Sequence, residues 1–302
     1  MGTPEFAVPS LEAVADVCDL QAVVAQPDRP QGRGQRLERP PTASWAAEHG
    51  VVLLQPEKIR PPEAQAALVS LAPDVVVVAA YGKILPRSLL ELPRLGCVNV
   101  HASLLPRYRG AAPIQWAIAH GEQETGVTLM QMEEGLDSGP VLAHRRCAIL
   151  PDDTGESLSK RLALLGGQML RDELPRLEHG ELRAVRQDDS QATLAPRLSR
   201  DDARLDWRLS ARELRDRVRA FQPWPGALCT LPDGSVLKVA ATRVGDGAGT
   251  PGTVLSTGPE GIEVAAGAGS LILIEIQPEG RRRMHAAAFL AGRSLAPGAV
   301  LG

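Results

Sequence analysis

Apolar positions follow two different rhythms along this chain. In the first half they come as short solid runs at 20–25, 51–54, 74–80, 96–101 and 127–132. The run at 74–80 carries four consecutive valines, Val75 to Val78, the mark of a strand buried on both faces. Stretches with helical spacing lie between the runs, 112–120 among them. Strands alternating with helices predict an α/β, Rossmann-like domain built on a parallel sheet. No Gly-x-Gly-x-x-Gly follows any of these strands, so no dinucleotide site is expected.

A long helix is predicted over 155–179. Leu158, Leu162, Leu165 and Met169 recur on one face, Thr154 is placed to cap its start, and Gly180 to stop it. Polar sequence then runs over 181–204 and reads as a linker. Beyond it the rhythm changes. Ser210 and Glu213 form a capping box ahead of a short helix with the stripe Leu214, Val218 and Phe221. After Pro223-Trp-Pro-Gly226 come short strands split by glycine-rich turns, at 236–240, 252–255, 261–264 and 270–276, the pattern of a small all-β barrel. The expected organisation is a catalytic domain over 1–180, a linker over 181–204 and a C-terminal β-barrel domain over 205–302.

Composition narrows the class. With 44% apolar and 23% charged residues the chain can form a globular core, and no apolar run approaches the ~18 residues that span a bilayer. The start of the chain lacks the basic and apolar regions of a signal peptide. Cys18, Cys97, Cys147 and Cys229 are far apart, which predicts reduced thiols in a cytoplasmic protein and no zinc site. A net charge of -3 excludes a basic field over the whole protein, so any nucleic acid must be held by local patches. Arginine far outnumbers lysine, and arginine suits bidentate phosphate contacts, but a compositional bias of the genome is the better account of the excess.

The candidate chemistry centres on Asn99 and His101, with Asp137 downstream between Gly135 and Gly139. Residues two apart on a strand share a face, and ligands of open α/β sheets bind beyond the C-terminal strand ends. An amide donor and an imidazole therefore point together into the expected crevice, and a carboxylate on a glycine-flanked loop can reach them. The trio suits attack by an amine on a formyl carbon. The amide would stabilise the oxyanion, the imidazole would move protons, and the carboxylate would hold the imidazole and favour its charged form. No covalent nucleophile is needed, and Cys97 is read as facing away from Asn99 and His101. Each residue alone has an ordinary structural reading: a polar strand end for Asn99 and His101, a turn aspartate for Asp137.

Longer motifs surround the trio. They are Gly2-Thr-Pro-Glu-Phe-Ala7, Gln26-Pro-Asp-Arg-Pro-Gln-Gly-Arg-Gly34, Ala80-Tyr-Gly-Lys-Ile-Leu-Pro86, the unbroken block from Gly96 to Gln115, Glu124-Thr-Gly-Val-Thr-Leu-Met-Gln-Met132, Asp206-Trp207, Phe221-Gln-Pro-Trp-Pro225, Phe289-Leu-Ala-Gly-Arg293 and Pro297-Gly298. Through them the whole chain resembles the methionyl-tRNA formyltransferase family of folate-dependent formyltransferases. The trio with Ser103-Leu-Leu-Pro106 is shared by the wider group; the block after it, the 26–34 loop and the β-rich tail narrow the resemblance.

The resemblance implies formyl transfer from 10-formyltetrahydrofolate to initiator methionyl-tRNA; the lack of ligand-spaced Cys and His clusters and of the glycine fingerprint predicts neither metal nor nicotinamide. It implies that Ser103, Leu104, Leu105 and Pro106 line the folate site, with Tyr81, Gly82, Ile84 and Leu85 around the pterin end. Core packing is the plain alternative for Leu104 and Leu105, and a tight turn for Tyr81 and Gly82. Arg29, Arg33 and Arg36, with Arg39 nearby, are implied to meet the tRNA acceptor end, and a solvated loop is the alternative. The tail is implied to be an OB-type barrel, whose Arg281, Arg282 and Arg283 also suit phosphate. A monomer and no membrane partner are expected. Competing readings are a 10-formyltetrahydrofolate hydrolase, a formyltransferase acting on a small amine, and a tRNA-binding module without catalysis. The arginine-bearing loop disfavours the small acceptor, and the intact trio disfavours the module. One departure stands out: in the family an apolar strand precedes the Gly-Thr-Pro-Glu-Phe motif, whereas Met1 here adjoins Gly2. The expectation is that this central strand is missing from the chain and that the natural start lies upstream.

Overall fold

The computed structural model describes residues 1–31 and 36–302. In chain order it contains α1 Val8–Val17, β1 Val23–Val24, β2 Arg29–Gln31, β3 Arg36–Glu38, α2 Pro41–Glu48, β4 Leu53–Leu54, α3 Pro62–Ser70, β5 Val76–Val78, α4 Arg87–Leu90, β6 Cys97–His101, α5 Pro113–Ala119, β7 Glu124–Gln131, β8 Val141–Ala148 and α6 Gly155–Glu178. The tail adds α7 Ala211–Ala220, β9 Ala227–Thr230, β10 Val236–Gly245, β11 Val254–Gly258, β12 Gly261–Ala265, β13 Ser270–Pro278, β14 Met284–His285 and α8 Ala286–Gly292.

The described residues form two units. One gathers 1–113, 124–148 and 159–195; the other gathers 114–123, 149–158 and 196–302. The stretch read as a linker is therefore split, with 181–195 in the first unit and 196–204 in the second.

In the first unit, β5 pairs parallel with β6, as the solid apolar runs predict. The sheet then departs from the expected all-parallel form: β7 runs antiparallel to β6, and β8 antiparallel to β7. The strand β8 was not legible because its residues alternate between half-buried and exposed and include Arg145 and Arg146. It is an edge strand, and only a strand covered on both faces reads as a solid apolar run. Above β6 lies α6, whose Leu162, Met169 and Leu170 are fully buried. Two glycines let it approach: a Cβ on Gly166 would stand 2.7 Å from Val100 Cγ1, and one on Gly167 would stand 2.6 Å from the Pro9 carbonyl oxygen. The helix ends where Gly180 takes φ +72°.

A second, two-stranded piece pairs β1 parallel with β4. Between it and β5 lies the backbone of Met1 and Gly2. The Gly2 N–H donates to Val24 O at 3.0 Å, the Ala79 N–H donates to Met1 O at 2.9 Å, and the Met1 amine donates to Val77 O at 2.5 Å. Burial holds that amine well below its usual range, at about 6. Beside this seam lies a cavity of about 550 Å³, lined by Val14, Val23, Leu68, Val75, Val77 and Leu174 among others.

In the second unit, Ser210 Oγ and the Glu213 backbone, and the Glu213 carboxylate and the Ser210 backbone, close the capping box read from sequence. Leu214, Val218 and Phe221 face inward as predicted. The strands form one antiparallel sheet in the order β11-β12-β13-β10-β9, with β14 on β13. Among the described residues no ladder joins β9 directly to β11, and the chain end bonds to both: Thr230 N–H donates to Gly302 O at 2.6 Å, and Val254 N–H donates to Ala299 O at 2.8 Å. Its core is Leu237, Ile262, Val264, Leu271, Leu273 and Ile276, all fully buried.

Candidate active site

The C-terminal end of β6 carries Asn99 and His101, in register with Met130 and Thr128 of β7. Alternation along the strand places them on one face. Cys97 has the same parity and belongs to that face too, which corrects the reading that it points away. It lies one pleat further back, where its Sγ donates to Leu89 O at 3.4 Å among Val24, Val78, Leu85 and Leu89. Burial pushes this thiol up to about 11, so it is protonated at neutral pH and is no nucleophile.

Asp137 arrives from a different source. It sits in the irregular loop between β7 and β8 with φ +48°, a left-handed conformation that costs a non-glycine residue energy. Gly135 and Gly139 flank it because side chains there would overlap Ser138 Oγ and the Gln131 carbonyl respectively. The strain brings the carboxylate to the strand end. Asn99 Nδ2 donates to Asp137 Oδ1 at 3.3 Å, and the Gly110 N–H donates to Oδ2 at 2.9 Å. His101 Nδ1 lies 3.7 Å from Oδ2, within ion-pair range and too long for a direct hydrogen bond.

His101 is 5% exposed, and its Nε2 lies 2.9 Å from the Tyr108 carbonyl oxygen. A carbonyl only accepts, so Nε2 carries the proton and donates. Nδ1 is then the nitrogen left to gain or lose a proton, and it is the one that faces Asp137. This assignment was invisible in the sequence, where nothing marks Tyr108 as a partner of His101. Asn99 also has a second N–H that the Asp137 contact does not use.

The three residues picked from sequence are thus brought together. The stretches proposed to hold folate take different positions. Ser103 is fully buried, with Oγ donating to Arg107 O at 2.6 Å. Thr128 Oγ1 donates to Ser103 O at 2.7 Å and accepts the Leu105 N–H at 3.1 Å, so β7 fixes the turn that follows β6. Leu104 packs over Gly126, where a Cβ would collide with it. Leu104, Leu105 and Pro106 are half-buried. Tyr81 and Leu85 are core residues, whereas Gly82 is exposed and Ile84 is 72% exposed. The Tyr81 carbonyl accepts from Gln26 Nε2 at 2.9 Å and from Thr3 Oγ1 at 3.3 Å, tying that turn to the start of the 26–34 segment.

On the nucleic-acid side, β2 and β3 form an antiparallel hairpin with Arg29 opposite Glu38. Arg29 is exposed, and Arg39 lies 3.9 Å from Asp28. Arg33 and the side chain of Arg36 lie outside the described residues. No group of three or more His, Cys, Asp and Glu is placed to hold a metal among the described residues, and no described helix is long and apolar enough to cross a membrane.

Sequence reasoning missed the residues of 187–195 that grip this site. Gln187 Nε2 donates to the carbonyls of Asp137 and Gly139, both at 2.8 Å. The backbone of 193–195 pairs with 106–112: Arg109 N–H donates to Thr193 O at 2.8 Å and Ala195 N–H to Arg109 O at 2.7 Å. The stretch had read as a linker because it is polar and lacks periodicity, and no local signal distinguishes a clamp from a tether.

Comparison with known proteins agrees with this arrangement. Residues 9–174 match the model of the formyl transferase family, and 197–294 match its C-terminal domain. The methionyl-tRNA formyltransferase of Myxococcus xanthus is 58% identical over 298 residues, covering 99% of this chain and 95% of that protein. The chain belongs to the methionyl-tRNA formyltransferase family. Another member, the methionyl-tRNA formyltransferase of Geobacter metallireducens, is 50% identical and covers all of this chain and 97% of its own length. Among solved structures, an N-formyltransferase from Helicobacter canadensis in complex with folinic acid and dTDP-3-aminofucose has a TM-score of 0.67 at 17% identity, covering 92% of this chain and 97% of its own. HypX from Aquifex aeolicus in complex with tetrahydrofolic acid gives 0.59 at 20%, over 81% of this chain and 43% of its own. At these identities the two structures speak to the shared fold of the family.

Proposed function

We propose that the chain transfers the formyl group of 10-formyltetrahydrofolate to the α-amino group of initiator methionyl-tRNA, giving the formylated tRNA that starts translation in the cytoplasm. The observation that carries this reading is the convergence of Asn99, His101 and Asp137, within a family whose named members are methionyl-tRNA formyltransferases.

The residues divide the work. A tetrahedral oxyanion forms when the amine adds to the formyl carbon, and the unused Asn99 N–H is the donor for it. The amine must lose a proton, and His101 Nδ1 accepts it while Nε2 stays tied to Tyr108. The resulting imidazolium faces Asp137, which offsets its charge. The same nitrogen then returns the proton to the departing folate nitrogen. Asp137 is held by two donors and need not move during this exchange.

The folate would lie against Ser103, Leu104, Leu105 and Pro106, with Gly82, Ile84 and backbone around Tyr81 and Leu85 toward the pterin. A planar heteroaromatic ring needs apolar faces, and Ile84 and Leu136 present large apolar side chains to solvent. For the tRNA we assign Arg29, Arg33 and Arg36 to the acceptor end. The five-strand path of the tail is taken as an OB-type module for nucleic acid.

One assay discriminates the readings. Formyl transfer to methionyl-tRNA and release of tetrahydrofolate without acceptor are measured side by side, with the amino-sugar nucleotide of the sugar formyltransferases as a third arm. Formylated methionyl-tRNA as the dominant product supports the proposal. Dominant acceptor-free release, or transfer only to the small amine, overturns it.

A further inference from the structure

The loop that carries Asp137 has no secondary structure to hold it and includes a residue in a strained conformation. Two donors, Asn99 Nδ2 and the Gly110 N–H, fix the carboxylate. Its backbone is fixed by something else. Two carbonyls of the loop, those of Asp137 and Gly139, accept from one side-chain amide nitrogen, Gln187 Nε2, each at 2.8 Å. An amide nitrogen has two N–H groups, so both bonds are available at once.

The other end of that amide is also occupied. Gln187 Oε1 accepts from Arg109 Nε at 3.0 Å and Nη2 at 2.8 Å. A flipped amide would set N–H against guanidinium and oxygen against two carbonyls, so Arg109 decides which end faces the loop. Arg109 is itself 8% exposed and reaches Asp189 at 2.7 Å. It lies between Tyr108, whose carbonyl accepts from His101 Nε2, and Gly110, whose N–H donates to Asp137 Oδ2. One tripeptide thus holds the imidazole, holds the carboxylate and orients the amide that pins the carboxylate's backbone.

We propose that Gln187 is a positioning residue for the reaction: it sets Asp137 opposite His101 Nδ1 by gripping the Asp137 and Gly139 carbonyls, and Arg109 fixes its orientation. The proposal rests on the assignment of the trio to formyl transfer. Its effect should fall on turnover, because a displacement of about 1 Å in a catalytic group costs on the order of 10²-fold in rate. Neither substrate is expected to touch Gln187, so both Michaelis constants should hold.

The test compares Gln187→Ala and Gln187→Glu with the wild type. The glutamate keeps the shape and the Arg109 contacts but has no N–H to give. Both variants are expected to lower kcat by roughly 10–100-fold, with each Michaelis constant within about threefold and the circular dichroism spectrum unchanged. Hydrogen exchange of the Gly110 amide, followed by NMR, should speed up in both variants, because a loosened Asp137 no longer holds that N–H. Exchange needs no substrate, so it separates two failures. If the wild type transfers no formyl group but Gly110 exchange accelerates, the positioning stands and the reaction was misassigned. Unchanged exchange, a wild-type kcat in Gln187→Glu, or a loss confined to the Michaelis constants would each overturn the positioning role.

Discussion

The three residues of the proposed reaction centre come from two regions that are built in opposite ways. Asn99 and His101 stand on β6, which is paired on both sides and buried along most of its length. Asp137 stands on a loop of glycines with a left-handed backbone, held by side chains far away in sequence. A strand gives its residues position through the ladder, at no added cost. A loop needs an external clamp, and here the clamp spans 50 residues. The active site is as rigid as its weaker half, so perturbations should act very differently on the two.

The largest effect should come from removing the proton carrier. His101→Ala is expected to lower turnover by ~10²–10⁴ with the fold intact, since the ladder around it does not depend on the ring. Steady-state rates with circular dichroism check this, and near-normal turnover in a folded variant would sink the role. Asp137→Asn should follow, at ~10–10³-fold, because the acceptor is kept while the charge facing His101 is lost. An equal loss in both variants would mean that strand and loop residues act as one unit.

Thr128→Val probes the turn after β6 directly. The change is close to isosteric but strands the Ser103 carbonyl and the Leu105 N–H. Two buried backbone groups without partners should cost about 2–4 kcal/mol, read as a lower midpoint in urea, and should raise the folate Michaelis constant. A change in stability without any change in folate binding would detach 103–106 from the folate site.

Arg33→Ala touches neither region. It is expected to raise the Michaelis constant for tRNA while sparing that for folate, with the difference shrinking as salt rises. Equal effects on both substrates would remove the hairpin from tRNA binding.

The smallest effect concerns pH and the buried end of β6. Burial pushes Cys97 up to about 11, Cys229 to about 12 and Tyr81 to about 12. The unfolded chain ionises its thiols near 9 and its tyrosines near 10, so the folded state keeps these protons longer. Stability from this source is complete below pH 9 and declines as pH rises toward 11–12. Urea unfolding at pH 8, 9.5 and 10.5 should show that decline, and Cys97→Ala should flatten it.

Much of the fold was legible before any coordinates. The solid valine run announced β5, the stretch at 96–101 announced β6, the leucine face announced α6, and the Ser210–Glu213 pair announced α7. Each of these is a local signal: periodicity, capping and burial leave their mark within a few residues. The antiparallel edge β8 was not legible, because a half-exposed strand leaves a weak pattern. Nor was the strand order of the tail sheet, because turn signals show that strands exist without showing which of them pair.

At the site the same line divides what was known. The sequence by itself determined that Asn99 and His101 share a face, since strand alternation is a property of the backbone, and it supplied Asp137 through the glycines that its loop requires. Only the tertiary structure decided that His101 turns Nδ1 toward Asp137, that Cys97 is withdrawn on the same face, and that Gln187, bonded to Arg109, reaches the carbonyls of Asp137 and Gly139. Those facts rest on hydrogen bonds between residues 7 to 78 positions apart. A hydrogen bond's geometry depends on where two distant backbones come to lie, and no local preference of either partner encodes it.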